Sequence, residues 1–309
     1  MSLSAARHTP QLWTEGEGHT PSPAVPEISS TAEQRPTSRP DTLVRMRKGD
    51  PSELPVFMCH DASGDVNSSV RLARLLPGRR PVLGIKARSD ADGAPADLIV
   101  EDMAQAAVAV MRTVQPTGPY TLVGYSFGAL VAYETARLLR QAGHEVAHVV
   151  LLDPYFGVQC LSRPNRWWYL AVGRVWSVLR WLPRVDHEER SRFLRKAVRA
   201  LLPWTSSVLV HINDGTPSKK TEAFAETAVM AMNAYRPGRL DAPVRVVHCT
   251  LKFPCRCNPI PILTKVLDPS QTTMHVMEGS HFEMVADPGV ATTSALIGEV
   301  LDDDVALAR

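Results

Sequence analysis

With 309 residues and a 44% hydrophobic fraction, the chain can bury one large core or at most two small domains. A formal net charge of +2 is too close to neutrality for a nucleic-acid binder. No run of about 18 apolar residues is present to span a membrane, and the N-terminus "MSLSAARHTPQLWTEGEG" lacks the apolar stretch of a secretory signal.

Residues 1–51 hold seven prolines among many Ser, Thr and Gly, with no sustained apolar period. They read as a disordered or linker-like extension, so the folded domain is expected over 52–309. From there, short apolar runs alternate with helical patterns. "PVFMCH" (55–60) and "PVLGIKA" (81–87) are predicted strands, separated by a loop and a helix around "SSVRLARLL". In "LIVEDMAQAAVAVMRTV" (98–114), Ile99, Met103, Ala106, Val110 and Val114 recur at helical spacing. The strand "YTLVGY" leads into a helix that ends at Gly143, and "HVVLLD" (148–153) is the next strand. Near-continuous apolar strands alternating with helices predict an α/β fold with a mostly parallel sheet covered on both faces. After Pro154 only helical patterns follow as far as Tyr235, so a helical lid is expected over about 155–235. Strands resume at "VRVVHC" (244–249) and "TTMHVME" (272–278), and a last helix covers about 290–301.

Gly124-Tyr125-Ser126-Phe127-Gly128 fits G-x-S-x-G, a motif that counts only where a buried strand leads in and a helix leads out. Both are predicted here. Gly124 and Gly128 let helix and strand approach without a Cβ clash, which pushes Ser126 up at the carboxyl edge of the sheet as a nucleophile. The Phe127 N–H can donate to a developing oxyanion.

This architecture takes its acid and then its base later in the chain. Asp153 ends the next parallel strand, on the same edge as Ser126. The later strand end, "HCTLKFPCRCNPIP", holds no Asp or Glu, which favours Asp153. His281, in the Gly-Ser loop after the last strand, is the predicted base. His60 precedes Ser126 and breaks the order, while His248 and His275 lie inside strands and read as core residues. The loop "HDASGD" (60–65) should supply a second oxyanion donor, the Ala62 N–H. There Asp61 must turn to solvent or find a partner, because an anion facing an oxyanion raises the barrier.

Residues 161–202 carry ten Lys/Arg against three acids, with Trp and Phe interleaved. Trp168, Val172, Val175, Leu179 and Leu182 share one helical face. Three uses compete: a lid helix packed over the cleft with a solvated basic back, which we prefer; a docking surface for an acidic carrier protein; and an interfacial membrane helix. Cys249, Cys255 and Cys257 with His248 lack the spacing of a zinc site, so no metal is expected; a Pro-rich surface loop with free thiols is preferred over 249–262. Five scattered cysteines point to a reducing cytoplasm rather than a disulfide framework.

"PTGPYTLVGYSFGALVAYETARLLRQAGHEVAHVVLLD", with "LVRMRKGDPSELPVFMCH", "AYRPGRLDAPVRVV" and "GSHFEMVADP", resembles the thioesterase domains of nonribosomal peptide and polyketide synthetases. The resemblance covers roughly 43–301 and implies an α/β-hydrolase fold. By it, Ser126, Asp153 and His281 match nucleophile, acid and base, and Ala62 and Phe127 match the oxyanion donors. It implies no cofactor of the chain's own: the acyl or peptidyl substrate arrives on the phosphopantetheine of a carrier protein, acting in trans or from an upstream synthetase. Release would be by hydrolysis or ring closure. Asp61, Ser63 and Ala129 depart from the family pattern. Rival readings are an editing thioesterase of the type II kind, a general carboxylesterase, and a non-catalytic hydrolase-fold binding protein. Neither a nucleic-acid partner nor membrane contact is expected.

Overall fold

The computed structural model describes residues 41–157, 160–168, 172, 175, 179, 182, 190, 218–251 and 258–307. Apolar runs buried on both faces form the central strands. β2 (Val56–Cys59), β3 (Val82–Ile85) and β4 (Tyr120–Tyr125) are buried at every position. With β1 (Leu43–Arg47), β5 (Val146–Leu152), β6 (Val244–Leu251) and β7 (Thr272–Ser280) they make one sheet, ordered β1-β3-β2-β4-β5-β6-β7. Only the β1–β3 pair is antiparallel. β2 has β3 on one side and β4 on the other, so successive crossovers leave it in opposite directions. Such a switch point opens a crevice at the carboxyl ends of the strands.

β1 corrects the reading of 1–51 as linker throughout. Its five residues are too few to register against a Pro- and Ser-rich background, yet Leu43 and Met46 are buried and Met46 packs over Gly84. The Arg47 guanidinium donates to the carbonyls of Leu76 and Arg80 and ties the strand down.

Among the described residues the α-helices are α1 (Val70–Leu75), α2 (Val100–Arg112), α3 (Gly128–Gln141), α4 (Arg163–Trp168), α5 (Lys219–Ala234), α6 (Ile260–Val266) and α7 (Val290–Leu307). Alternate residues along the central strands feed two separate cores. Phe57, Leu83, Leu122, Leu151 and Val246 pack with α2, α3, α5 and α6. Met58, Val82, Val123, Val150 and Val247 pack with α1 and α7 on the other face. This is the α/β-hydrolase architecture, a mostly parallel sheet with helices on both faces.

α5 is joined to α3 through a buried charge. Tyr235, just beyond α5, donates its hydroxyl to Glu134 Oε2 at 2.8 Å, and Arg137 Nε donates to the same oxygen at 2.8 Å. Ser218 caps α5 by accepting the Thr221 N–H at 3.1 Å. Most of the expected lid between these helices lies outside the described residues. Where it is described, Trp168, Val172, Val175 and Leu179 are 63%, 49%, 44% and 51% exposed. The face expected to pack down over the cleft is therefore open at those positions. Cys255 and Cys257 also lie outside the described residues. α6 arises inside the segment expected to be a surface loop, because a helix tolerates Pro259 and Pro261 at its start, where a missing N–H costs nothing. Among the described residues, no helix is long and apolar enough to cross a membrane.

Candidate active site

The sharp turn after β4 is built by close approach. A Cβ on Gly124 would meet the backbone of Gly128 and Ala129, and one on Gly128 would meet the carbonyl of His60. Only glycine allows the start of α3 to sit this near β4 and β2. Between them Ser126 takes φ 58°, and its N–H donates to the Leu152 carbonyl at 2.9 Å. It is the one residue of 120–130 that is not buried.

The next strand end repeats the device. Asp153 takes φ 43°, with its N–H on the Val247 carbonyl at 2.7 Å. Its carboxylate is fully buried and accepts from His281 Nδ1 at 2.8 Å. His281 itself is 4% exposed. The loop that delivers it is fastened by the Ser280 N–H donating to Glu283 Oε2 at 2.8 Å. Asp153 and His281 thus come together at the sheet edge that also presents Ser126.

Sequence reasoning missed the rings around the imidazole. Tyr125 stacks on His281 at 4.7 Å between centroids, Tyr155 stacks at 4.8 Å, and Phe282 meets it edge-on at 5.5 Å. The electron-rich faces of the two tyrosines attract positive charge on the imidazole. Burial above all, with the carboxylates of Asp61 and Asp153, holds the Tyr125 phenol well above its ordinary pKa, so it stays a donor. It donates to the His281 carbonyl at 3.0 Å. The only sequence signal was position: each tyrosine lies within two residues of Ser126 or Asp153.

In the 60–65 loop, Asp61 turns inward on its own loop. Its Oδ1 accepts from the Ser63 N–H at 2.7 Å and the Ser63 hydroxyl at 2.5 Å, and its Oδ2 accepts from the Ser68 hydroxyl at 2.5 Å. The partner Asp61 needed is therefore the serine that departs from the family pattern. The backbone N–H groups of Ala62 and Phe127 make no hydrogen bond among the described residues. Phe224 of α5 presses its ring on Gly64 of this loop, leaving no room for a side chain there.

His60 is buried, stands 6.1 Å from the Phe127 ring, and shares a hydrogen bond of 2.9 Å between Nδ1 and the Asp61 carbonyl. Desolvation lowers its pKa, against the opposing pull of that carbonyl and nearby carboxylates. His248 and His275 lie in β6 and β7 as expected but are half-buried, since this end of the sheet is thinly covered. A cleft of about 730 Å³ opens beside the loop, walled by Ser63, Asp65, Lys86, Arg88, Lys220 and Phe224. Lys86 is paired with Asp65 and Arg88 with Asp97, so much of its positive charge is already answered.

Residues 54–166 match the family model of the thioesterase domain. The chain is 34% identical over 101 residues to inactive atromentin synthetase invA4 of Paxillus involutus, covering 33% of this chain and 11% of that protein. It is 39% identical over 116 residues to nonribosomal peptide synthetase btyA of Aspergillus terreus, covering 37% and 12%. The chain therefore spans about a tenth of the length of these curated relatives. A crystal structure of a four-domain nonribosomal peptide synthetase bound to AMP and glycine superposes with a TM-score of 0.59 at 22% identity, over 84% of this chain and 20% of that one. The chain resembles the thioesterase domains of such synthetases.

Proposed function

We propose that the chain is a serine thioesterase that releases an acyl or peptidyl chain from a phosphopantetheinyl carrier protein. The observation that carries this reading is the buried Asp153–His281 pair beside a left-handed Ser126. In the proposed cycle, His281 takes the Ser126 hydroxyl proton as Oγ attacks the thioester carbon. The oxyanion is held by the N–H groups of Ala62 and Phe127. Collapse breaks the C–S bond, the thiol leaves with the proton from His281, and an acyl ester remains on Ser126. Water, or an amine or hydroxyl of the substrate itself, then attacks that ester. Asp153 holds the imidazole in the tautomer that accepts the serine proton. The carrier is proposed to act in the cytoplasm, from a separate chain or the same synthetase.

The test is labelling with an alkyl fluorophosphonate, with the adduct located by mass spectrometry. Wild type should carry it on Ser126, and Ser126→Ala should carry none. Release of acyl groups from a carrier protein and from a small thioester then separates a carrier-dependent enzyme from a general esterase. An unlabelled Ser126 would sink the enzyme reading.

A further inference from the structure

We propose that Cys249 is a positioning residue that fixes the plane of the Asp153 carboxylate for His281, an inference that rests on the triad reading above. Asp153 is fully buried. An ionised carboxylate is tolerated there only when donors surround it. His281 supplies one donor, to Oδ2. Cys249 supplies two, one to each oxygen: its N–H points to Oδ1 at 3.3 Å, and its Sγ lies 3.3 Å from Oδ2.

The geometry matters because the terminal torsion of an aspartate is broad. A carboxylate held at one oxygen can swing about it. The Cys249 N–H holds Oδ1, and the thiol is the donor that keeps Oδ2 in place independently of the His281 imidazole it has to orient. The holder is itself fixed. Cys249 is 1% exposed, belongs to β6 and pairs with Met277 of β7. The register shifts immediately after it, between Cys249 and Leu251, and such irregularities re-aim side chains beside sites. The same shift leaves the Leu251 carbonyl 3.2 Å from Sγ. One thiol proton thus has two acceptors, of which the carboxylate, being charged, is the stronger.

A buried cysteine also packs as a small apolar group, and the test must separate packing from positioning. Cys249→Ala keeps the backbone donor and removes the thiol; Cys249→Ser keeps a side-chain donor of similar size. The probe is the alkyl fluorophosphonate, with its maximal labelling rate and half-saturating concentration measured separately. Loss of a hydrogen bond to a charged group predicts a maximal rate roughly 10-fold lower in Cys249→Ala, with half-saturation within about twofold. Cys249→Ser should recover to within about threefold of wild type. In proton NMR, the downfield resonance of the His281 Nδ1 proton should shift or broaden in the alanine variant and return in the serine variant. A packing role alone would lower the thermal midpoint of Cys249→Ala while leaving rate and resonance at wild-type values, and that result overturns the inference. Were wild type itself to form no Ser126 adduct, the triad reading would fall, and the resonance would still decide whether Cys249 orients the Asp153–His281 pair.

Discussion

Backbone strain concentrates at two residues of the site. Among the described residues, Ser126 and Asp153 are the non-glycines with positive φ, a conformation that costs about 1–3 kcal/mol each. Each stands one step past a strand end and is still bonded to the neighbouring strand, which is how the sheet sustains the strain. Asp153→Asn keeps the shape but offers His281 the wrong hydrogen-bonding partner. Turnover should fall by up to about 10⁴-fold with the thermal midpoint little changed; wild-type rates in this variant would move the acid elsewhere. His60 makes a pH prediction. Its folded pKa lies below the ordinary 6.5 because burial disfavours the charged ring. The unfolded chain then binds the extra proton first, so this contribution to stability is complete above about 6.5 and declines as pH falls towards the folded value. Urea midpoints of wild type should drop through that window, and His60→Gln should flatten the drop. That Ser126, Asp153 and His281 meet at one edge of the sheet was legible in the sequence, because chain order and strand ends constrain their places. The Tyr155 and Cys249 contacts were not, because they depend on how the ends of β5, β6 and β7 lie beside one another.

At the scale of elements, helix period and apolar runs gave α2, α3 and the central strands to within a few residues, since both faces of each strand are buried. β1 escaped because two buried side chains in five residues carry too little pattern. α6 escaped because its prolines mimic a loop. The element with most leverage on the site is α5. Its Phe224 is 5% exposed and rests on Gly64, in the loop that carries Ala62. Phe224→Ala removes that buttress. Stability should fall by about 3 kcal/mol, read from the urea midpoint. The maximal labelling rate of Ser126 should fall as well, because the loop that carries the proposed Ala62 donor loses its support. A stability loss with an unchanged rate would separate α5 from the loop.

For the whole molecule, one sheet divides two cores, and its antiparallel edge is part of both. Leu43 joins one cluster and Met46 the other. Removing residues 1–40 should leave the thermal midpoint of the domain in place. Removing 1–51 strips β1, its Arg47 anchors and the bond from the Lys86 N–H to the Thr42 carbonyl at 2.8 Å, and should lower the midpoint by several degrees or abolish folding. The two ends of the insertion also set where a recombined chain can be cut. Tyr155 and Phe156, at its entrance, are buried against His281 and the core. At its exit, Phe224 rests on Gly64 of the 60–65 loop and Tyr235 belongs to the Glu134 network. A foreign segment grafted at 154 and 236 would carry away both anchors and arrive without them. Crossovers at 157 and 218 would exchange the intervening segment while the parental domain keeps its own fastenings.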